Sequence, residues 1–305
     1  MKKIVILGAG ISGLVLYYIL RKEEDIIPLI IDKKAGIDPD AKYITFFTKS
    51  ELPFSGDKRT LKVSLRSEKS SPEEIIKDYT RKCYGKECVP NTSLAKYFES
   101  TSISGVGQLR ILRYEEIYPI DYDKLFPFPS SDLISEQAVA VDIFKREIIL
   151  LSGKRVAFDF LLNTIPLNIF CKMSIPQFDF APDYRKIKIE VKKVSKKKED
   201  LWEMIYVPSE TEPFYRIFEN DTVRIEETIL KLGEEEKLKQ RIISPGKILA
   251  DERSNAIKKY FQMRNVFMFG RYAEWIPKRM VEEVYRNFKI FVNKNFYKLH
   301  IMRKE

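Results

Sequence analysis

A short apolar run, Lys3-Ile4-Val5-Ile6-Leu7, leads directly into Gly8-Ala9-Gly10-Ile11-Ser12-Gly13. From Leu14 to Lys22 come helix formers with apolar residues at helical spacing, and a second apolar run, Ile26 to Ile31, stops at Asp32. A run that is apolar throughout suits a strand buried on both faces of a parallel sheet. Strand, glycine turn, helix and strand within ~30 residues make a βαβ unit with a right-handed crossover. Each glycine has a physical task there. Gly8 permits the tight turn, Gly10 lets backbone N–H groups approach a pyrophosphate, and Gly13 lets the helix pack close to the sheet. The helix N-terminus turns its positive end towards the phosphates. Asp32 follows Gly13 by 19 residues, where a carboxylate can accept hydrogen bonds from the ribose of the adenosine half. The pattern predicts a dinucleotide held by Gly8, Ala9, Gly10, Ile11, Ser12 and Gly13, with Asp32 and Lys33 beside it. Asp32 would repel a 2'-phosphate and so disfavours NADP. The motif alone leaves FAD, NAD and a βα turn that binds nothing as alternatives.

At 305 residues, 44% hydrophobic and 32% charged, the chain can bury a sizeable core, which excludes disorder over most of its length. The length suits one large domain or two interleaved ones. Lys and Arg outnumber Asp and Glu by 54 to 44, a formal net charge of +10. Such a field favours an anionic ligand, a nucleic acid or an acidic membrane surface without choosing among them. The one histidine, His300, argues against a His-based triad or a multi-His metal site, so no metal is expected. Cys83, Cys88 and Cys171 lack zinc or redox spacing, and an odd count without a secretory leader predicts reduced thiols and a cytoplasmic location. The charged end of the first helix forbids a membrane span. Abundant Lys, Glu and Ile with only five Gln is a composition seen in thermophiles.

Further along, Lys33 to Arg110 is polar and punctuated by prolines. Ser71-Pro72-Glu73-Glu74 reads as a helix start and predicts a helix over 72–84. Strands are expected over 138–143, 147–151 and 158–164, then over 184–198, 201–207, 215–218 and 223–230 in an antiparallel sheet. Residues 234–241 read as a charged helix or loop, 266–269 as a buried strand, and 280–299 as an amphipathic helix whose Tyr285, Phe288 and Phe291 are core.

Residues 4–16, Ile-Val-Ile-Leu-Gly-Ala-Gly-Ile-Ser-Gly-Leu-Val-Leu, resemble the opening of the FAD-dependent amine oxidase superfamily, which includes protoporphyrinogen oxidases and UDP-galactopyranose mutases. Residues 139–166 resemble the family's β-meander and the strand returning to the Rossmann sheet at Thr-Ile-Pro. Val-Phe-Met-Phe-Gly-Arg-Tyr-Ala-Glu-Trp at 266–275 resembles its last strand and closing flavin motif. The resemblance implies FAD as cofactor. It places Val139 beside the adenine, Thr164 and Pro166 near the cofactor, Gly270 at the flavin end and Arg271 on the pyrophosphate or ribityl chain. The helix beginning near Met280 would then aim its N-terminus at the flavin, where a helix dipole stabilises negative charge. Where the family has Arg-x-Gly-Gly, this chain has Asp32-Lys33-Lys34-Ala35-Gly36, so Gly36 alone is left for the pyrophosphate loop.

Tyr79 to Gly85 and Pro213-Phe214-Tyr215-Arg216 place aromatics beside cations; the latter resembles the segment that crosses near the isoalloxazine in mutase-like members. Arg81, Lys82 and Arg216 can clamp an anionic group while Tyr84 and Tyr215 stack on a ring, with Trp275 nearby. The alternative is surface charge with aromatics turned inward. The basic run 192–198 reads as a solvated hairpin rather than a nucleic-acid site. No side-chain general acid or base stands out, and a flavin needs none to carry hydride chemistry.

The expected fold class is α/β: a Rossmann-type FAD/NAD(P)-binding domain with a parallel sheet and β-meander (1–40, 130–170 and 240–305), plus a smaller α+β substrate domain with an antiparallel sheet (41–129 and 171–239). The expected function is an FAD-dependent oxidoreductase acting on an anionic small molecule. A mutase-like non-redox flavoenzyme and a non-catalytic nucleotide- or partner-binding protein are the alternatives, and a homo-oligomer is compatible with either.

Overall fold

A computed structural model describes residues 2–23, 26–34, 47–69, 71–85, 94, 98, 109–125, 129–178, 180–194, 201–230 and 241–297. The chain opens with β1 (Lys2–Leu7), α1 (Ile11–Leu20) and β2 (Ile26–Asp32). Then come β3 (Phe47–Thr48), β4 (Arg59–Arg66), α2 (Pro72–Tyr84), β5 (Leu109–Pro119) and the single turn α3 (Tyr122–Leu125). β6 (Leu133–Ser135), β7 (Ala138–Asp142), β8 (Glu147–Leu150), β9 (Arg155–Ala157), β10 (Phe160–Asn163) and α4 (Leu167–Ser174) follow. The remainder is β11 (Tyr184–Lys193), β12 (Leu201–Tyr206), β13 (Phe214–Glu219), β14 (Val223–Ile229), β15 (Arg241–Ile248), α5 (Arg253–Gln262), β16 (Val266–Met268) and α6 (Val281–Val292).

Five strands form a parallel sheet in the order β16-β10-β1-β2-β6. Successive residues of β1 serve opposite faces, as the two-residue period of a strand demands. Ile4 and Ile6 pack with α1 and α6, in a cluster containing Leu14, Tyr17, Val284 and Phe288. Val5 and Leu7 pack beneath the three-stranded meander β7-β8-β9 and against α4 and α5, with Ile148, Leu167, Phe170 and Phe261. With both faces covered, the sheet strands are apolar throughout, the pattern legible at Ile4 to Leu7. α1 is apolar almost all round and is buried from Gly13 to Leu20, so its hydrophobic effect is spent on two neighbours at once.

The second sheet has eight strands, β15-β11-β14-β13-β12-β4-β5-β3. Its pairings are antiparallel except β12 with β4, which run parallel. α2 covers one face: Ile75, Tyr79 and Cys83 pack on Leu61, Val63, Tyr206 and Tyr215. The predicted helix over 72–84 is present. The Ser71 hydroxyl accepts from the Glu74 N–H, Pro72 opens the first turn, and Gly85 closes it in the left-handed region at φ 70°. β4 lies in the stretch read as interrupted and polar, and β5 begins only at its end. The alternation of β4 accounts for this, since Leu61, Val63 and Leu65 are wholly buried while Lys62 faces out to Glu203. β15, α4 and α5 were likewise not anticipated. Residues 234–240 of the segment read as a charged helix or loop, the end of the basic run, Gly36, Cys88 and His300 lie outside the described residues, and Arg241 opens β15.

Among the described residues no helix is long and apolar enough to cross a membrane. Nor do the described residues include a group of three or more His, Cys, Asp or Glu that could hold a metal.

Candidate functional site

The C-terminal edge of the parallel sheet gathers segments far apart in sequence. Gly8 takes φ 103°, and a Cβ there would lie 2.7 Å from Thr164 Oγ1. Gly13 approaches so closely that a Cβ would sit 2.0 Å from the Gly8 carbonyl oxygen. Gly10 differs from both, with no heavy atom within 4 Å of its would-be Cβ. The turn is therefore pinned at both ends and open in the middle, which is the shape a pyrophosphate requires. No side chain caps the first turn of α1, so its positive end is left to an outside anion.

Asp32 holds this turn in shape. Its Oδ2 accepts the Ala9 N–H at 2.7 Å, and its Oδ1 accepts the Lys34 N–H at 2.9 Å. Lys33 is exposed beside it. The Thr164 hydroxyl lies 2.9 and 3.0 Å from the carbonyl oxygens of Leu7 and Gly8, locking β10 to the turn, and Pro166 is the N-cap of α4. Gly270, at φ 97°, packs so tightly on α1 that a Cβ would lie 2.3 Å from Ser12 Oγ. Its N–H donates to Glu274 Oε2 at 3.0 Å. Burial pushes the Glu274 carboxyl up, against the pull of Arg279, which pairs with it at 2.7 Å. Met280 is the N-cap of α6, its N–H donating to Glu283 Oε2 at 2.7 Å. Val139 is 40% exposed on β7 of the meander.

Arg271 follows Gly270 and carries its guanidinium over the Tyr272 ring at 5.4 Å. Its Nε is buried and finds no acceptor among the described residues. A buried donor without a partner is costly, and an anionic group at this edge would satisfy it. Open space at Gly10, an uncapped helix start and an orphaned guanidinium nitrogen on one sheet edge together fit a dinucleotide phosphate.

The substrate residues proposed from sequence divide. Arg81 lies on the surface, paired with Asp78 at 2.9 Å and Glu210 at 2.7 Å. Trp275 is a core residue and not a ligand-facing one. It is 1% exposed, its indole N–H donates to the Leu249 carbonyl at 2.9 Å, and its ring meets the edges of Phe180 and Tyr184. Lys82 binds backbone: its ammonium reaches the carbonyls of Val207, Glu212 and Phe214 at 3.1, 2.9 and 2.9 Å, and that of Ser209. Tyr215 and Arg216 come together on one acid. A bulge between Phe214 and Arg216 lets both reach Glu227, Arg216 through two bonds of 3.0 and 2.6 Å and Tyr215 through its hydroxyl. Burial raises the Tyr215 phenol, as does the Glu227 charge. Burial alone would raise Glu227, but Arg216 holds it below the usual carboxylate range.

Tyr84 closes α2 and is half-buried; burial pushes its phenol up to about 12, against the pull of Arg271 and Arg216. Lys247 was not anticipated. It is 5% exposed on β15, 3.3 Å from the Tyr79 hydroxyl, with the Tyr215 ring 4.3 Å away. Its only sequence signal is an isolated charge in the run Ile242-Ile243-Ser244-Pro245-Gly246-Lys247-Ile248-Leu249. The segment after β16 ties this strand down, because the Tyr272 hydroxyl donates to the Gly246 carbonyl at 3.1 Å. Arg271 on the Rossmann side and Lys247, Tyr84 and Arg216 on the eight-stranded sheet therefore share one electrostatic neighbourhood.

No family model matches the chain, and no curated protein matches it by sequence. Solved structures do match. Reduced UDP-galactopyranose mutase superposes with a TM-score of 0.63 over 96% of this chain and 93% of its own, at 14% identity. A thermophilic tryptophan halogenase from Streptomycin violaceusniger gives 0.52 over 97% and 74%, at 10% identity. A fatty acid isomerase producing CLA, from P. acnes, gives 0.51 over 97% and 99%, at 12% identity. At such identities the likeness is one of fold, and that fold is the Rossmann-type FAD-binding flavoprotein fold.

Proposed function

We propose that the protein is an FAD-dependent oxidoreductase that takes a hydride from an anionic small molecule. The observation that carries this reading is the sheet edge where Gly8, Gly13, Thr164 and Gly270 interlock around the open position at Gly10. In the proposed complex Gly10, Ile11 and Ser12 present backbone to the pyrophosphate, with Asp32 and Lys33 near the adenosine ribose. Thr164 and Pro166 line the near side and Val139 lies towards the adenine. Gly270, Arg271 and the start of α6 at Met280 face the flavin end. A bound flavin supplies hydride acceptance at its N5 position. The chain's own part is to bind, orient and exclude water. Tyr84 and the Arg216–Glu227–Tyr215 group lie across from Arg271 and would orient the substrate, with two phenols that stay protonated at neutral pH. In this reading 1–40, 130–170 and 240–305 form the cofactor domain, and 41–129 with 171–239 the substrate domain, except that β15 pairs with β11 and goes with the substrate sheet.

The test is an absorption spectrum of the purified protein, followed by heat release and mass analysis of the cofactor. Bands near ~370 and ~450 nm with FAD released are expected. A colourless protein that FAD does not stabilise against heat would overturn the reading.

A mutase-type, non-redox reaction on a nucleotide sugar is the second reading, favoured by superposition on UDP-galactopyranose mutase along nearly the whole of both chains. Turnover of a UDP-sugar only in the presence of dithionite would select it.

A further inference from the structure

Three cations meet where the two sheets approach. Arg216 is answered by Glu227, whose two oxygens it takes. Lys247 has no carboxylate within ion-pair distance among the described residues; its near partners are the Tyr79 hydroxyl and the faces of the Tyr215 and Tyr79 rings, 4.3 and 5.7 Å away. Arg271 is in the same position, with its Nε buried and unsatisfied. A further cation adds to the field: Arg185 pairs with Lys247 across β11 and β15, which puts both on one face of the sheet. Arg185 is compensated, because its guanidinium donates to the Tyr84 carbonyl at the negative end of α2. Among the described residues, the titratable groups facing Lys247 are thus Tyr79 and Cys83 from α2, Tyr215 and Arg216 from β13, Glu227 from β14, Arg185 from β11 and Arg271 after β16. Glu227 is the one carboxylate among them, and it is committed. Burying an ammonium without a counter-charge is expensive, and here burial lowers Lys247 to about 8, with Arg216 and Arg271 adding to the effect.

We propose that Lys247 anchors an oxyanion of the substrate, a carboxylate or a phosphate, where the two sheets approach, with Arg271 on the Rossmann side. This rests on the flavoprotein reading for what lies beside the site, but the site can be tested apart from it. An anion at Lys247 restores the ammonium's charge, so binding above neutral pH must take up a proton.

The experiment titrates inorganic phosphate, and separately acetate, into the FAD-loaded protein at pH 8.5, by calorimetry in two buffers of different ionisation enthalpy. Uptake of more than about half a proton is expected with at least one of the two, and the one that binds identifies the group. Lys247→Met should abolish binding and uptake, and Lys247→Arg should keep binding without uptake. Melting curves and circular dichroism check that both variants fold. Unchanged binding in Lys247→Met, or no uptake in the unmodified protein, would overturn the proposal. So would proton uptake on adding FAD to stripped protein with none on later addition of the oxyanions, because Lys247 would then serve the cofactor. If no flavin binds at all, the same titration of the bare protein still tests the site.

Discussion

At Gly13 there is no room for a side chain, whereas at Gly10 there is nothing but room, and the two glycines should fail differently. Gly13→Ala drives a Cβ to 2.0 Å from a backbone oxygen. Overpacking against backbone costs 1–3 kcal/mol or more, so a melting point several degrees lower, or insoluble protein, is expected. Gly10→Ala meets no atom within 4 Å and should melt as the unmodified protein does while binding FAD at least about tenfold more weakly, since its methyl fills the space meant for phosphate. Equal affinity in the two proteins would show that the pyrophosphate does not lie there. Lys247 gives the residue scale its pH dependence. Its folded pKa, about 8, lies below the unfolded value of ~10.4, so folding releases a proton between these limits. The resulting cost is absent above ~10.5, grows as pH falls through the window, and is complete below about 8. Lys247→Met should therefore stabilise the free protein by roughly 2–3 kcal/mol at pH 7, with the gain fading by pH 10.5. Urea midpoints at the two pH values check this, and a gain that did not change with pH would contradict it. The glycines were legible because their demands are local. Lys247 and Trp275 were not, because what surrounds them comes from β11, β13 and α2 in one case and from the loops around 180 and 249 in the other.

α2 holds more than its own core. Lys82 projects from its last turn into a ring of four carbonyl oxygens from residues 207–214, the loop joining β12 to β13. That loop delivers Phe214, Tyr215 and Arg216 to the candidate site, so the clip positions its cationic side. Replacing Lys82 with Met leaves several carbonyls without a donor, each hydrogen bond to a charged group being worth about 1.5–3 kcal/mol. Amide exchange across 207–215 should quicken at least tenfold, while exchange in β1 and β10 stays unchanged. A uniform acceleration across both sheets would mean that the clip is only a part of global stability. Elements of this sort were legible where a local signal fixed them: Ser71, Pro72 and Gly85 delimit α2 without help from the rest of the chain. β15 was hidden by Pro245 and Gly246, which usually mark a turn. It tolerates them because, among the described residues, it is an edge strand, paired on one side only. β12 pairing parallel to β4 was hidden for a different reason, since strands some 140 residues apart carry no mark of direction in their side chains.

The parallel sheet draws its five strands from stretches near residues 2, 26, 133, 160 and 266, and the candidate cofactor site is assembled from the same scattered pieces. Neither exists in the unfolded chain, so a dinucleotide can bind only the folded state. Native-only binding stabilises by RT ln(1 + [L]/Kd), about 2.7 kcal/mol at a hundredfold excess over Kd. For a chain of 305 residues that amounts to a melting shift of roughly 4 °C. FAD added to stripped protein should produce it, and NAD should produce less if the flavin end at Gly270 and Arg271 contributes to binding. Because the interlocked glycines tie β1, β10 and the segment after β16 into one unit, exchange protection should rise together at 8–14, 161–165 and 268–275. The outer strands β3 and β5, at the far edge of the second sheet, should change little. A shift confined to 8–14 would mean that the nucleotide occupies the first βαβ unit alone. The chain would then bind an adenosine nucleotide without presenting a flavin to the cationic site.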